Sequence, residues 1–216
     1  MVILLYILFG ISLVYIAATE KFSNYIRVYT LQGFLLFGMA LAERESFSYV
    51  NLALILAETI IFKSVIVPWL LRRILQGTGI RNVHKRSLAG NYTVMIMILA
   101  LGISLLLARL LAIHTADSTF LVIAFFTLFT GLVLISARKL IFGHLVGFLI
   151  IENSVFLFSI AIGKEFPLLV NAGILLDIFI AVLIMSIFMT RIGLRTAGPE
   201  AERLTKRTNS YRQPIS

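Results

Sequence analysis

The stretch from Leu145 to Gly163 reads LVGFLIIENSVFLFSIAIG and carries one charge, Glu152, near its middle. As a helix rising 1.5 Å per residue it would span about 28 Å, close to the roughly 30 Å hydrocarbon core of a bilayer. A helix lying on a soluble core would show a polar face every three to four residues. This one has no such face, so it is read as a membrane span with an acid at its centre.

The same pattern repeats outward in both directions. Helices are expected over Val2–Thr19, Ile26–Ala42, Val50–Leu71, Asn91–Ile113, Thr119–Ala137, Leu145–Gly163 and Leu168–Thr190. The fold class is therefore an all-α polytopic transmembrane bundle of about seven spans over residues 1–195. Residues 196–216 form a polar, basic tail that lacks the apolar content for a packed core. The first helix has no basic leader and no small-residue cleavage site, so it reads as a retained span and not a signal peptide.

Composition agrees. Of 216 residues, 60% are hydrophobic and 13% charged, and the mean hydropathy is +1.01; a soluble domain is about half apolar and a quarter charged. The formal charge of +9 invites a nucleic-acid reading, but its placement argues against one. Lys21 and Arg27, the Arg72–Arg86 cluster, Arg138 with Lys139, and the basic residues from Arg191 to Arg212 fall on one side of the seven-span scheme. Arg44 and Lys164 fall on the other. Basic residues mark the cytoplasmic side, which puts the N-terminus outside and the tail in the cytoplasm.

No catalytic apparatus is visible. There are no cysteines, which removes thiolate zinc sites and iron–sulfur clusters. His84, His114 and His144 lie at span ends, not facing each other within spans as haem ligation would require. No nucleophile–base set and no phosphate-binding glycine loop occurs, so neither a cofactor nor a metal site is expected.

The informative residues are ionisable and near the midplane: Glu58, Lys63, Glu152 and Asp177. Each charge at a helix centre costs about 2.5–3.5 kcal/mol on insertion scales, and such residues usually face the bundle interior and mark ion or proton routes. A carboxyl group there is pulled toward its neutral form by desolvation and toward its charged form by a nearby cation. A group held between those pulls can exchange protons, as a relay requires. The bland alternative is a static interhelical pair. Glu58 and Lys63, five apart, would stand about 140° apart on an α-helix, so each is expected to find a partner elsewhere. Pro68 cannot donate to the carbonyl of Ser64, and a helix break is expected there beside the lysine.

A weak internal echo accompanies these residues. Gly33-Phe34-Leu35 matches Gly147-Phe148-Leu149, and Glu58 and Asp177 are each followed by an arginine, Arg72 and Arg191, at the same distance. Two parallel three-helix repeats are one reading; chance likeness between apolar helices is the other.

The last three spans, 118–192, resemble the small K subunit of complex I and the C subunit of multisubunit sodium/proton antiporters. Those are three-helix proteins with an acid in the second helix and another in the third. Glu152 and Asp177 occupy those places, although the second acid of the K subunit is a glutamate. From about Asn24 to Arg191 the chain resembles hydrogenase-4 component E more closely. The likeness rests on Lys63-Ser-Val-Ile-Val-Pro68, on Arg138-Lys139 followed by Gly147-Phe148 and Glu152-Asn153, and on Asp177-Ile-Phe-Ile-Ala-Val182. The resemblance implies a non-catalytic membrane subunit of an energy-conserving hydrogenase-type complex. Its partners would be antiporter-like subunits, an H-subunit-like membrane anchor, and a peripheral nickel–iron hydrogenase arm with iron–sulfur subunits. In that setting Glu152, Asp177, Lys63 and Glu58 would belong to a lateral proton path. The alternatives are a purely structural subunit linking antiporter-like neighbours, and an autonomous small transporter.

Overall fold

The structure, a computed structural model, describes residues 2–19, 21–42, 57–69, 71–72, 90–111, 118–137 and 141–162. Every regular element among them is a helix: α1 (Val2–Ala18), α2 (Phe22–Ala42), α3 (Ala57–Ile66), α4 (Gly90–Leu111), α5 (Ser118–Ala137) and α6 (Ile141–Ile162). Three helical stretches are long and apolar enough to cross a membrane, Ser23–Ala42, Ser118–Ala137 and Gly143–Ala161. Shorter apolar helices run over Ile3–Ala18, Thr59–Trp69 and Met95–Leu111. The chain is thus a membrane protein by helix length and composition. The expected seventh span and the tail lie outside the described residues.

Two helix starts differ from expectation. The polar residues Ser23 and Asn24, read from sequence as loop, form the first turn of α2. The carbonyl of Lys21 accepts from the backbone N–H groups of Asn24 at 3.0 Å and Tyr25 at 3.3 Å, which starts the helix early. The Asn24 amide donates to the Tyr15 hydroxyl at 3.0 Å and to Thr19 Oγ1 at 3.2 Å, and the Tyr25 hydroxyl donates to the Thr19 carbonyl at 2.9 Å. These side chains tie the α1–α2 turn, so their polarity serves the turn without interrupting the helix. In α6, likewise, Ile141–His144 are helical and not loop.

The larger departure is α3, which is wound as a π-helix from Ala57 to Ile66. Single π-turns are rare and often coincide with functional positions. Ser64 Oγ donates to the carbonyl of Thr59, five residues back, at 2.9 Å, as the wider winding allows. Residues five apart here fall near one face, so the 140° separation expected for the Glu58 and Lys63 positions does not apply. The neighbouring helix makes room for the bulge with a glycine. A Cβ at Gly33 would run into Ser64 Oγ and lie 3.1 Å from the Thr59 carbonyl and 3.3 Å from Lys63 Cβ. Pro68 is buried in the helical stretch that follows the π segment. The Ser64 carbonyl, which Pro68 cannot serve, falls within the π segment that carries Lys63.

The most extensive helix contact joins α5 and α6. Gly131 and Gly147 face each other across it. A Cβ on Gly131 would lie 2.8 Å from the Gly147 carbonyl, and one on Gly147 would lie 2.8 Å from the Gly131 carbonyl. Without a hydrophobic drive between helices in lipid, close backbone approach at small residues supplies the packing. Gly147 thus serves α5 and Gly33 serves α3, so the two echoed glycines do different jobs. Hydroxyls inside the bundle bond back along their own helices, Thr127 to the Ile123 carbonyl at 2.6 Å and Thr130 to the Phe126 carbonyl at 2.7 Å, as a dry interior demands.

The core is built from Phe9, Leu13 and Ile16 of α1, Leu36 and Met39 of α2, Phe120 and Leu134 of α5, and Leu149 and Phe156 of α6. The outward faces are also apolar: Ile3 is 71% exposed, Ile98 66% and Leu106 59%. In water such faces would drive aggregation; against acyl chains they are matched to the solvent.

Candidate functional site

Lys63 and Glu152, 89 positions apart in the sequence, meet inside the bundle. Lys63 Nζ lies 3.3 Å from Glu152 Oε1, with the two side chains 0% and 4% exposed. The ammonium also sits over the Phe156 ring, 4.8 Å from its centroid. Phe156 is one helical turn beyond Glu152, so one face of α6 supplies both an anion and a π-face to the same cation. The Coulomb term for such a pair is about 5 kcal/mol at an effective dielectric of 20. Removing two ions from water costs several kcal/mol each, so the pair is held near balance and not strongly stabilised.

Glu152 is flanked by two residues that bond in other directions. Ser154 Oγ donates to the carbonyl of Ala124 in α5 at 2.8 Å. The Asn153 amide donates to Gln32 Oε1 in α2 at 3.2 Å, the Gln32 amide donates to Ser12 Oγ in α1 at 2.9 Å, and Ser12 Oγ donates to the Phe9 carbonyl at 2.6 Å. Asn153, Gln32 and Ser12 are all buried. A hydrogen-bonded line therefore runs from beside Glu152 across α2 to α1, through the interior of three helices.

Compared with protein-family models, curated proteins and solved structures, the chain matches none.

Of the four ionisable residues expected at the midplane, the structure brings two together. Lys63 meets Glu152 of α6, a partner on another helix, but the α-helical 140° spacing behind that expectation does not hold on the π-wound segment. The Glu58 position lies on the π segment, but its side chain lies outside the described residues, as does Asp177 altogether. Gln32 and Ser12 did not stand out in the sequence. The available signal was their polarity at interior positions of apolar helices, which is mild compared with a charge. Among the described residues no group of three or more His, Asp or Glu side chains comes together as a metal site would need.

Gly33 bears on the site through α3. Gly33→Ala is expected to displace the Ser64 hydroxyl and the π-turn, and with them Lys63. An overpacked site of this kind costs about 1–3 kcal/mol. Thermal unfolding in detergent should register that loss, and Gly33→Ala should weaken any function that depends on Lys63 while Gly10→Ala, in open space, leaves both unchanged.

Proposed function

We propose that this chain is a non-catalytic membrane subunit of a multisubunit, energy-conserving redox complex, in which Lys63 and Glu152 belong to a lateral proton path. The supporting observation is the buried Lys63–Glu152 pair, on a π-wound segment and beside a hydrogen-bonded line reaching α1. A π-turn, a cation and an acid coinciding in an apolar interior is costly unless it is used. In this reading redox chemistry in a peripheral hydrogenase-type arm shifts charge in the membrane, and the pair responds by releasing or taking up a proton. Asp177 on the seventh span and Glu58 extend the path, and antiporter-like and H-subunit-like subunits continue it laterally. The topology that goes with it is seven spans, N-terminus outside and tail cytoplasmic.

A second reading draws on the same pair: Lys63 and Glu152 as a fixed stitch between α3 and α6, in a subunit that only holds its neighbours together. The two readings share partners and differ in proton traffic. The shared element is tested by purification from native membranes in mild detergent. The chain should come away with other membrane subunits and with a redox-active arm. Isolation as a monodisperse protein that transports ions by itself in liposomes would defeat both readings and favour an autonomous transporter.

A further inference from the structure

Helices α1, α4 and α5 enclose an open groove of about 970 Å³ that the proton-path reading leaves unused. Its walls run along α1 from Ile3 to Ala18, and on the facing side from Leu101 to Arg109 of α4 and from Ser118 to Phe126 of α5. Sixteen residues of helix correspond to about 24 Å, longer than one leaflet of the roughly 30 Å hydrocarbon core. Almost all of the lining is apolar. Gly10 opens the floor, since a Cβ there would meet nothing within 4 Å.

The lining turns polar at one end. Arg109 stands in the last turn of α4, and Ser118 and Thr119 begin α5. All three line the groove, at the end of α4 and the start of α5. The edge-on contact of Tyr6 with Phe120, centroids 5.1 Å apart, puts the early turns of α1 at the same end. All three polar residues are exposed, and Arg109 has no acidic partner among the described residues. A cation with adjacent hydroxyls at the entrance of a long apolar channel complements one kind of molecule: a phosphate head on an acyl tail. Guanidinium groups bind phosphate bidentately, and interhelical basic sites of this kind take lipid headgroups. A second transmembrane helix would fill the apolar length but would leave the Arg109 charge without an anion.

We infer that the groove is a binding site for a phospholipid, its phosphate held by Arg109 with Ser118 and Thr119 and one acyl chain lying along α1 over Gly10. The chain in its native complex, stripped of bound lipid in detergent, is titrated with dioleoyl phosphatidylglycerol and, separately, with dioleoylglycerol, which has the same tails and no phosphate. Bound lipid is counted by native mass spectrometry. Phosphatidylglycerol is expected to bind at least about ten-fold more tightly, the difference a charge-assisted contact supplies. Arg109→Gln should remove that preference and Arg109→Lys should keep most of it. Gly10→Phe, which fills the open floor, should weaken both lipids. Equal affinity for the two lipids, or an Arg109→Gln protein indistinguishable from wild type, overturns the proposal. So does a photoreactive residue at position 10 that crosslinks to another polypeptide and not to lipid, because the groove would then be a helix-docking surface.

Discussion

Glu152→Gln is expected to leave the complex assembled and its redox reaction active with artificial electron carriers, while proton translocation per electron pair falls sharply. The substitution keeps the shape of the side chain. It also keeps an oxygen 3.3 Å-scale contact for Lys63 Nζ, the distance Glu152 Oε1 has in the native pair. What it loses is the ability to release a proton and, with it, the negative charge facing the buried Lys63, so the variant should also be less stable than wild type and its assembly is verified before pumping is read. A positioned proton-transfer group contributes about 10²–10⁴-fold in rate, so the loss should exceed tenfold if Glu152 is on the obligatory route. Glu152→Asp should be milder, since the acid remains and only its reach shortens. The reading is a gradient formed in inverted vesicles, normalised to electrons delivered. An unchanged ratio in Glu152→Gln would remove Glu152 from the path and leave the pair as a stitch.

The legibility of this chain divides along a physical line. Among the described residues, helix positions were readable because apolar runs as long as Leu145–Gly163 have few alternatives in a bilayer. Glu152 and Lys63 stood out because a charge in such a run is costly, and a partner on another helix was expected for Lys63. That its partner is Glu152 was not readable. The pairing depends on how α3 and α6 sit around α2, and no local pattern encodes that. The π-winding was hidden for a related reason. It is stabilised where Ser64 bonds back to Thr59 and where Gly33 of another helix yields space, a tertiary circumstance written as one glycine on α2. Pro68 pointed to the Ser64 carbonyl, inside the π segment, but not to the winding itself. Gln32 and Ser12 escaped notice because neutral polar residues are common in membrane helices and most bond locally. Here they bond to each other and to Asn153 across three helices.

Lys63→Met should destabilise the chain strongly, and adding Glu152→Gln should restore much of the loss. Methionine nearly matches the lysine stem, and Lys63 is fully buried, so the single variant mainly takes from the Glu152 carboxylate the cation it faces at 3.3 Å. Breaking a buried pair by removing one partner costs about 3–5 kcal/mol, whereas replacing both partners with neutral groups is often nearly neutral. The Phe156 ring loses its cation as well, a contribution of about 0.5–2 kcal/mol, but a thioether packs acceptably against an aromatic edge. The double-mutant cycle, read by unfolding in mixed detergent micelles, should therefore show a coupling of several kcal/mol between positions 63 and 152. Additive effects would mean that the two side chains do not interact in the folded protein. The same double variant separates the two readings of the site. As a stitch, the pair is dispensable once both charges are gone, so a stable double variant in an assembled complex should translocate protons normally. As a relay, it should fold and assemble equally well and still fail to pump. A stable, fully coupled double variant would assign Lys63 and Glu152 to architecture and move the proton path to other residues.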